Sequence, residues 1–228
     1  MIRGAPFGKA FGTATLDNFE VVPQYNGKAH EACLNLVRGE IRGLVLQGPV
    51  GVGKTHLLAG LARAFVHARN PEEQNEDYEP LVALPKLREL VENIENFESE
   101  LSKQSTLDPA ESQREIVVEY WPMLDLASEL RSEVTRGDLY LSQRCRLCDL
   151  LILDDLGREK MSEFILQELQ RIIDWRYREM LPIAIATNKK HTELRDRYEE
   201  HTFSHLIESC VFVHVAGSDY RRTKAEAR

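Results

Sequence analysis

One octapeptide constrains this chain more than any other segment: Gly48-Pro49-Val50-Gly51-Val52-Gly53-Lys54-Thr55. It fits the spacing G-x-x-x-x-G-K-[ST]. A short apolar run, Gly43 to Gln47, precedes it. Thr55 to Arg69 follows, with Leu57, Leu58, Leu61, Ala62, Phe65 and Val66 at helical spacing. A strand that feeds a glycine-rich turn and opens a helix is the setting in which this spacing means phosphate. Gly48, Gly51 and Gly53 let backbone amides turn inward around phosphate oxygens without Cβ clashes. The helix N-terminus adds its positive end. Lys54 has the reach for the β- and γ-phosphates of a nucleoside triphosphate, and Thr55 offers a hydroxyl to Mg²⁺. Pro49, Val50, Val52 and the following His56 complete the candidate nucleotide-binding set. A turn that merely happens to be rich in glycine is the bland alternative.

A second segment, Leu150-Leu151-Ile152-Leu153-Asp154-Asp155-Leu156-Gly157, is an apolar strand ending in two carboxylates. Open α/β sheets bind ligands at the C-terminal edge of their strands. Asp154 is the candidate Mg²⁺ ligand alongside Thr55, and Asp155 the group that orients an attacking water. The next apolar strand, Ile183 to Thr187, ends at Asn188, which could contact the γ-phosphate or the water. Asn is also an ordinary strand-ending turn residue.

Strand and helix patterns alternate along the rest. Gly27 to Gly39, Met123 to Arg136 with Gly137 as its stop, Ser162 to about Met180, a short helix from Thr192 and another near Phe203 to Ser209 read as helices. Ile116 to Trp121 and Cys210 to Val215 read as further strands. This alternation predicts a parallel sheet covered on both faces. No apolar run approaches the ~20 residues of a membrane span, and Met1 to Thr15 has no apolar h-region. A soluble, cytoplasmic protein is the expectation. The four cysteines agree: Cys145-Arg-Leu-Cys148 is a lone pair without the second pair of a zinc site, which favours reduced thiols.

The net charge of −8 argues against a generally basic nucleic-acid binder. Its distribution is uneven. Residues 72–119 hold 14 acidic and 4 basic residues, and the remainder is nearly balanced. Leu87, Leu90, Val91, Ile94, Phe97 and Leu101 in this acidic stretch follow helical spacing. An acidic helical insertion at about 70–116 is expected, either a solvated cover for a sheet edge or a partner-docking face. A short basic tail, Arg221, Arg222, Lys224 and Arg228, is either solvated or in contact with phosphates.

Taken together, Gly48 to Leu57, Leu150 to Gly157, Ala186-Thr187-Asn188 and Gly217-Ser218-Asp219-Tyr220-Arg221 resemble the DnaC/DnaI/IstB group of AAA+ ATPases. The lead-in Thr15 to Glu20 is similar as well. The resemblance covers about residues 13–70 and 117–222. It implies a P-loop AAA+ (ASCE) core, an α/β fold whose five-stranded parallel sheet has the order 5-1-4-3-2. It makes residues 1–20 an irregular lead-in and 21–228 the ATPase domain. It also implies Mg²⁺-dependent ATP hydrolysis, nucleotide at subunit interfaces, an ATP-dependent homo-oligomer, and a replicative helicase and single-stranded DNA as partners. Asn188 matches the sensor-1 position and Arg221 the sensor-2 arginine. A guanidinium near the γ-phosphate would report which nucleotide is bound.

Three features depart from the group. Ser204-His205-Leu206 stands where members usually carry Ser-Arg-Leu. Such an arginine finger supplies about 10³ to 10⁵ in rate, whereas His is mostly neutral at pH 7. Weak catalysis in trans, substitution by Arg195 or Arg197, or work beside a different ATPase would each account for His205, as would a plain helix surface position. The stretch ahead of Gly43 is expected to be too short for a separate helicase-gripping domain, and the acidic insertion could replace one. The leading expectation is an ATP switch that loads or remodels a replicative helicase. An IstB-like transposition ATPase and a nucleotide-binding interaction module with little turnover are the alternatives. A small-molecule kinase fits less well, because the arginines do not cluster as a lid.

Overall fold

The computed structural model describes residues 1–69, 115–137, 140–160 and 162–220. The acidic insertion up to residue 114, Arg221 and the basic tail lie outside the described residues. The strands are β1 (Ile2–Gly4), β2 (Gly43–Gln47), β3 (Val118–Pro122), β4 (Leu150–Leu156), β5 (Ile183–Thr187) and β6 (Cys210–His214). The helices are α1 (Lys28–Val37), α2 (Lys54–Ala68), α3 (Met123–Arg136), α4 (Tyr140–Leu147), α5 (Glu163–Arg178), α6 (His191–Tyr198) and α7 (Glu200–Ser209). Short turns of helix at Lys9–Phe11 and Pro23–Gly27 complete the described elements.

All strand pairs are parallel, and the sheet order is β1-β3-β4-β5-β2-β6. Read from β6 to β3, this is the expected 5-1-4-3-2. The expectation of five strands is corrected to six among the described residues. Ile2–Gly4, inside the lead-in predicted to be irregular, pairs with Val118–Tyr120. The outer edge of β3 carries unsatisfied backbone groups that this segment covers. Val118 N–H donates to Met1 O at 2.9 Å and Ala5 N–H to Tyr120 O at 3.0 Å, and Phe7 stacks on Tyr120 with centroids 3.8 Å apart.

The period-two alternation of the strands builds two cores. Leu44, Leu46, Leu150, Ile152, Ala184 and Ala186 face α1 and α2. Val45, Leu151, Leu153, Ile183 and Ile185 face the other way, toward α3 to α7. Both faces of the central strands are fully buried, which explains why they read as continuous apolar runs. Each such Leu or Ile contributes about 1.5–3 kcal/mol. Helix ends follow the sequence signals. Pro122 precedes α3, Gly137 closes it at φ 80°, and Ser162 Oγ accepts from Ile165 N–H. Among the described residues no helix is long and apolar enough to cross a membrane.

Two buried charges lock the far side together. Arg176 on α5 donates to the carbonyls of Cys145, Arg146 and Cys148 at 3.0–3.2 Å and to that of Pro182. A guanidinium thus caps the C-terminal end of α4, where carbonyls are otherwise orphaned. Glu119 in β3 accepts from Arg144 at 2.7 Å and from Trp121 Nε1 at 3.0 Å. All four cysteines are buried and unbridged.

Candidate nucleotide site

The glycine-rich loop leaves β2 at the C-terminal edge of the sheet and enters α2. Gly48 N–H donates to Thr187 O at 3.1 Å, which ties the start of the loop to the end of β5. Gly51 and Gly53 adopt φ of 85° and 95°, a region that favours glycine. A Cβ at Gly53 would meet the Phe19 ring at 2.8 Å, and one at Gly51 would meet Asp219 Oδ1 at 1.9 Å. The loop is therefore packed from outside by the lead-in and by the segment after β6. No acidic residue occupies the first turn of α2, so its N-terminal end keeps its positive character for an anion.

Lys54 is buried, and its ammonium donates to Gly48 O at 2.8 Å and Pro49 O at 2.7 Å. Thr55 Oγ1 donates to Asp154 Oδ2 at 2.8 Å, across 99 positions of sequence. Tyr120 Oη donates to the same oxygen at 3.0 Å, and Asp155 N–H donates to Oδ1 at 2.9 Å. Burial pushes the Asp154 carboxyl above its ordinary value, and the neighbouring Asp155 charge adds to the rise; the Thr55 and Tyr120 hydrogen bonds oppose it. A hydroxyl and a carboxylate side by side form a hard oxygen donor set that suits Mg²⁺.

Between Leu153 and Leu156 the pairing of β4 with β5 slips in register. Asp155 sits at this irregularity with φ 58°, uncommon for a residue with a Cβ. A bulge of this kind releases side chains from the ladder and re-aims them. It separates the two carboxylates. Asp154 faces Thr55, whereas Asp155 is partly exposed and accepts from Arg158 at 2.7 Å. Thr187 Oγ1 closes the neighbouring edge, donating to Leu156 O at 2.7 Å and accepting from Lys189 N–H at 3.0 Å. Asn188 follows it, exposed, at the edge the sequence pattern places it on.

Two predicted residues differ in placement from the rest. His56 turns its ring to the lead-in, with Nε2 at 3.1 Å from Thr15 O and 2.9 Å from Asn18 Oδ1, and meets Phe19 edge-on. Arg221 lies outside the described residues, but the chain leading to it is held at the phosphate loop: Tyr220 N–H donates to Gly51 O at 3.1 Å. Of the arginines that could substitute for His205, Arg197 is committed to buried Glu159, donating to Oε1 at 3.0 Å. Arg195 is exposed beside Asp196. His205 Nδ1–H donates to Asp174 Oδ1 at 2.9 Å. Tyr120 and Phe19 were not singled out by the sequence pattern. Tyr120 lies directly opposite Ile152 in the β3–β4 register, two residues short of Asp154, a relation visible only once the strands are paired.

The sequence matches no family model and no curated protein. Solved structures do match. The DnaC helicase loader is 20% identical with a TM-score of 0.64, over 91% of this chain and 99% of that one. DnaI is 17% identical with a TM-score of 0.62, over 96% of this chain and 97% of its own. The replication initiator DnaA bound to AMPPCP and single-stranded DNA is 19% identical with a TM-score of 0.62; the match covers 93% of this chain and only 53% of that chain. At these identities the shared property is the fold: this chain has the parallel-sheet α/β fold of DnaC and DnaI.

Proposed function

We propose that the protein is an Mg²⁺-dependent ATPase of the AAA+ type that acts in DNA replication, loading or remodelling a replicative helicase on single-stranded DNA. The observation that carries the nucleotide part is the 2.8 Å contact between Thr55 of the glycine-rich loop and Asp154 at the strand end. The replication part rests on the fold shared with a helicase loader and on the AMPPCP and single-stranded DNA bound by the similar DnaA.

In this reading residues 48–55 hold the triphosphate, and Lys54 exchanges the Gly48 and Pro49 carbonyls for β- and γ-phosphate oxygens. Thr55 and Asp154 would hold Mg²⁺, which would supply neutralisation of charge developing on the phosphates. Asp155 leaves Arg158 to orient water. Asn188 and Arg221 read the γ-phosphate. Nucleotide binding orders the contact with a helicase or another ATPase subunit, or an oligomer of this chain, in the cytoplasm, and hydrolysis releases it. The acidic insertion is a candidate docking element.

A second reading, a nucleotide-binding interaction module with little turnover, is favoured by two pairings. Asp155 is paired with Arg158, and His205 with Asp174. ATPase assays with and without single-stranded DNA and the host's helicase separate the two. A stimulated rate lost in Asp155→Asn supports the ATPase. A flat, negligible rate with intact ATP affinity supports the module. Co-purification with the helicase, with and without ATP, tests the partner.

A further inference from the structure

Asp174 on α5 and His201 and His205 on α7 converge on the side of the domain that carries α5 and α7. His201 and His205 are four residues apart, which puts both rings on one face of the helix. The same spacing presents two imidazoles to zinc in H-E-x-x-H helices. His205 Nδ1 lies 2.9 Å from Asp174 Oδ1, and His201 Nδ1 lies 3.9 Å from Asp174 Oδ2. One ligand atom from each of the three residues falls within 4.8 Å of the others.

We propose that these three side chains bind a divalent transition-metal ion of the Zn²⁺ class, which clips α7 to α5. A single His–Asp hydrogen bond would use only one ring. Here a second imidazole aims at the same carboxylate from beyond hydrogen-bond distance, its centroid 4.3 Å from that of His205. Bonds of about 2.0–2.1 Å to a tetrahedral ion place donor atoms about 3.3 Å apart. The two nitrogens stand 2.9 Å from Oδ1 and 3.9 Å from Oδ2 of that carboxylate, close enough for small side-chain rotations to reach that spacing. His205 is held in place, stacked on Tyr177 with centroids 4.0 Å apart and planes 7° apart. His201 is 72% exposed, so its ring can rotate inward at little cost.

Two imidazoles and one carboxylate form a borderline-soft set suited to Zn²⁺ rather than Mg²⁺. Three protein ligands leave a tetrahedral ion one further position for water or an anionic group. The CxxC pair is not a rival. Both thiols are buried, Arg176 Nη1 lies 3.3 Å from Cys148 Sγ, and burial pushes the Cys148 thiol up to about 11.

The test is a Zn²⁺ titration of the metal-stripped full-length protein against a chromophoric chelator. The inference predicts one tight equivalent per chain. In His201→Ala that affinity falls at least tenfold, a lost ligand costing no less than the roughly 10–100-fold known for outer-shell partners. In Asp154→Asn it is retained. Ring-nitrogen NMR then reports Zn²⁺-induced shifts at both His201 and His205. Equal Zn²⁺ affinity in wild type and His201→Ala, or shifts confined to other histidines, overturns the proposal. His201 is exposed, so its removal leaves the fold intact, which unfolding in the chelator-treated state confirms.

Discussion

Tyr120 donates to the same oxygen of Asp154 that accepts from Thr55, at 3.0 Å against 2.8 Å. A core tyrosine of β3 thus orients the carboxylate that also accepts from the glycine-rich loop. A hydrogen bond to a charged group is worth about 1.5–3 kcal/mol, and leaving a buried acceptor short of a donor costs at least as much. Tyr120→Phe should lower unfolding stability by about that amount, read as a shift in the urea midpoint at unchanged slope. An unshifted midpoint would mean that the phenol plays no part in holding Asp154.

Gly60, in the middle of α2, is the residue over which the lead-in passes. A Cβ there would stand 2.7 Å from Thr15 C and from Leu16 N, both backbone atoms. Helix propensity alone would make Gly60→Ala stabilising by about 1 kcal/mol. Overpacking against backbone costs about 1–3 kcal/mol. The net expectation is destabilisation, with protease cleavage appearing first within residues 1–20. A more stable Gly60→Ala protein would refute the docking of the lead-in on α2.

The Glu159 carboxylate is buried and receives Gly157 N–H at 2.9 Å, Arg197 Nε at 3.0 Å and the Tyr198 hydroxyl. Removing Arg197 strands a buried charge, which costs about 3–5 kcal/mol. Arg197→Ala should therefore show its effect as lost stability in thermal or urea unfolding. Arg195→Ala, at an exposed position, should stay within about 0.5 kcal/mol of wild type. If Arg197→Ala keeps full stability while its ATPase rate collapses, a catalytic role in trans replaces the structural one.

The thiols make a pH prediction. Burial pushes Cys33 up to about 12 and Cys148 and Cys210 up to about 11, and Cys145 well above its ordinary value of 9.0. The folded state holds these protons more tightly than the unfolded chain does. Their contribution is full below about pH 9, the value for the unfolded thiols, and is lost as pH rises through the folded values. Stability should fall between about pH 9 and 12, and native protein at pH 8 should react with a thiol reagent far more slowly than denatured protein. Rapid reaction of the native thiols would contradict their burial.

The elements that carry the site were legible because their signals are local. The loop needs glycine at 51 and 53, the buried strands need unbroken apolar runs, and Gly137 and Ser162 mark helix ends. What the pattern hid was non-local. Ile2–Gly4 is a strand only because β3 has an edge to offer. Arg176 sits inward on α5 because the end of α4, a helix absent from the sequence pattern, needs donors. The helical spacing of Phe164, Ile165, Leu169, Ile172, Ile173 and Trp175 predicts all six inward, yet Phe164 and Trp175 are only partly buried. The bulge that parts Asp154 from Asp155 has no composition signature, since Asp at a left-handed φ looks like any other Asp in sequence.

Lys54, Thr55 and Asp154 are proposed to hold a magnesium-bound triphosphate. Equilibrium binding of a fluorescent ATP analogue, with and without Mg²⁺, tests it in wild type and Lys54→Ala. The expected result is Mg²⁺-dependent binding in the wild type and at least a tenfold loss, about 1.4 kcal/mol, in the variant. Affinity indifferent to magnesium, or equal in the two proteins, would contradict it.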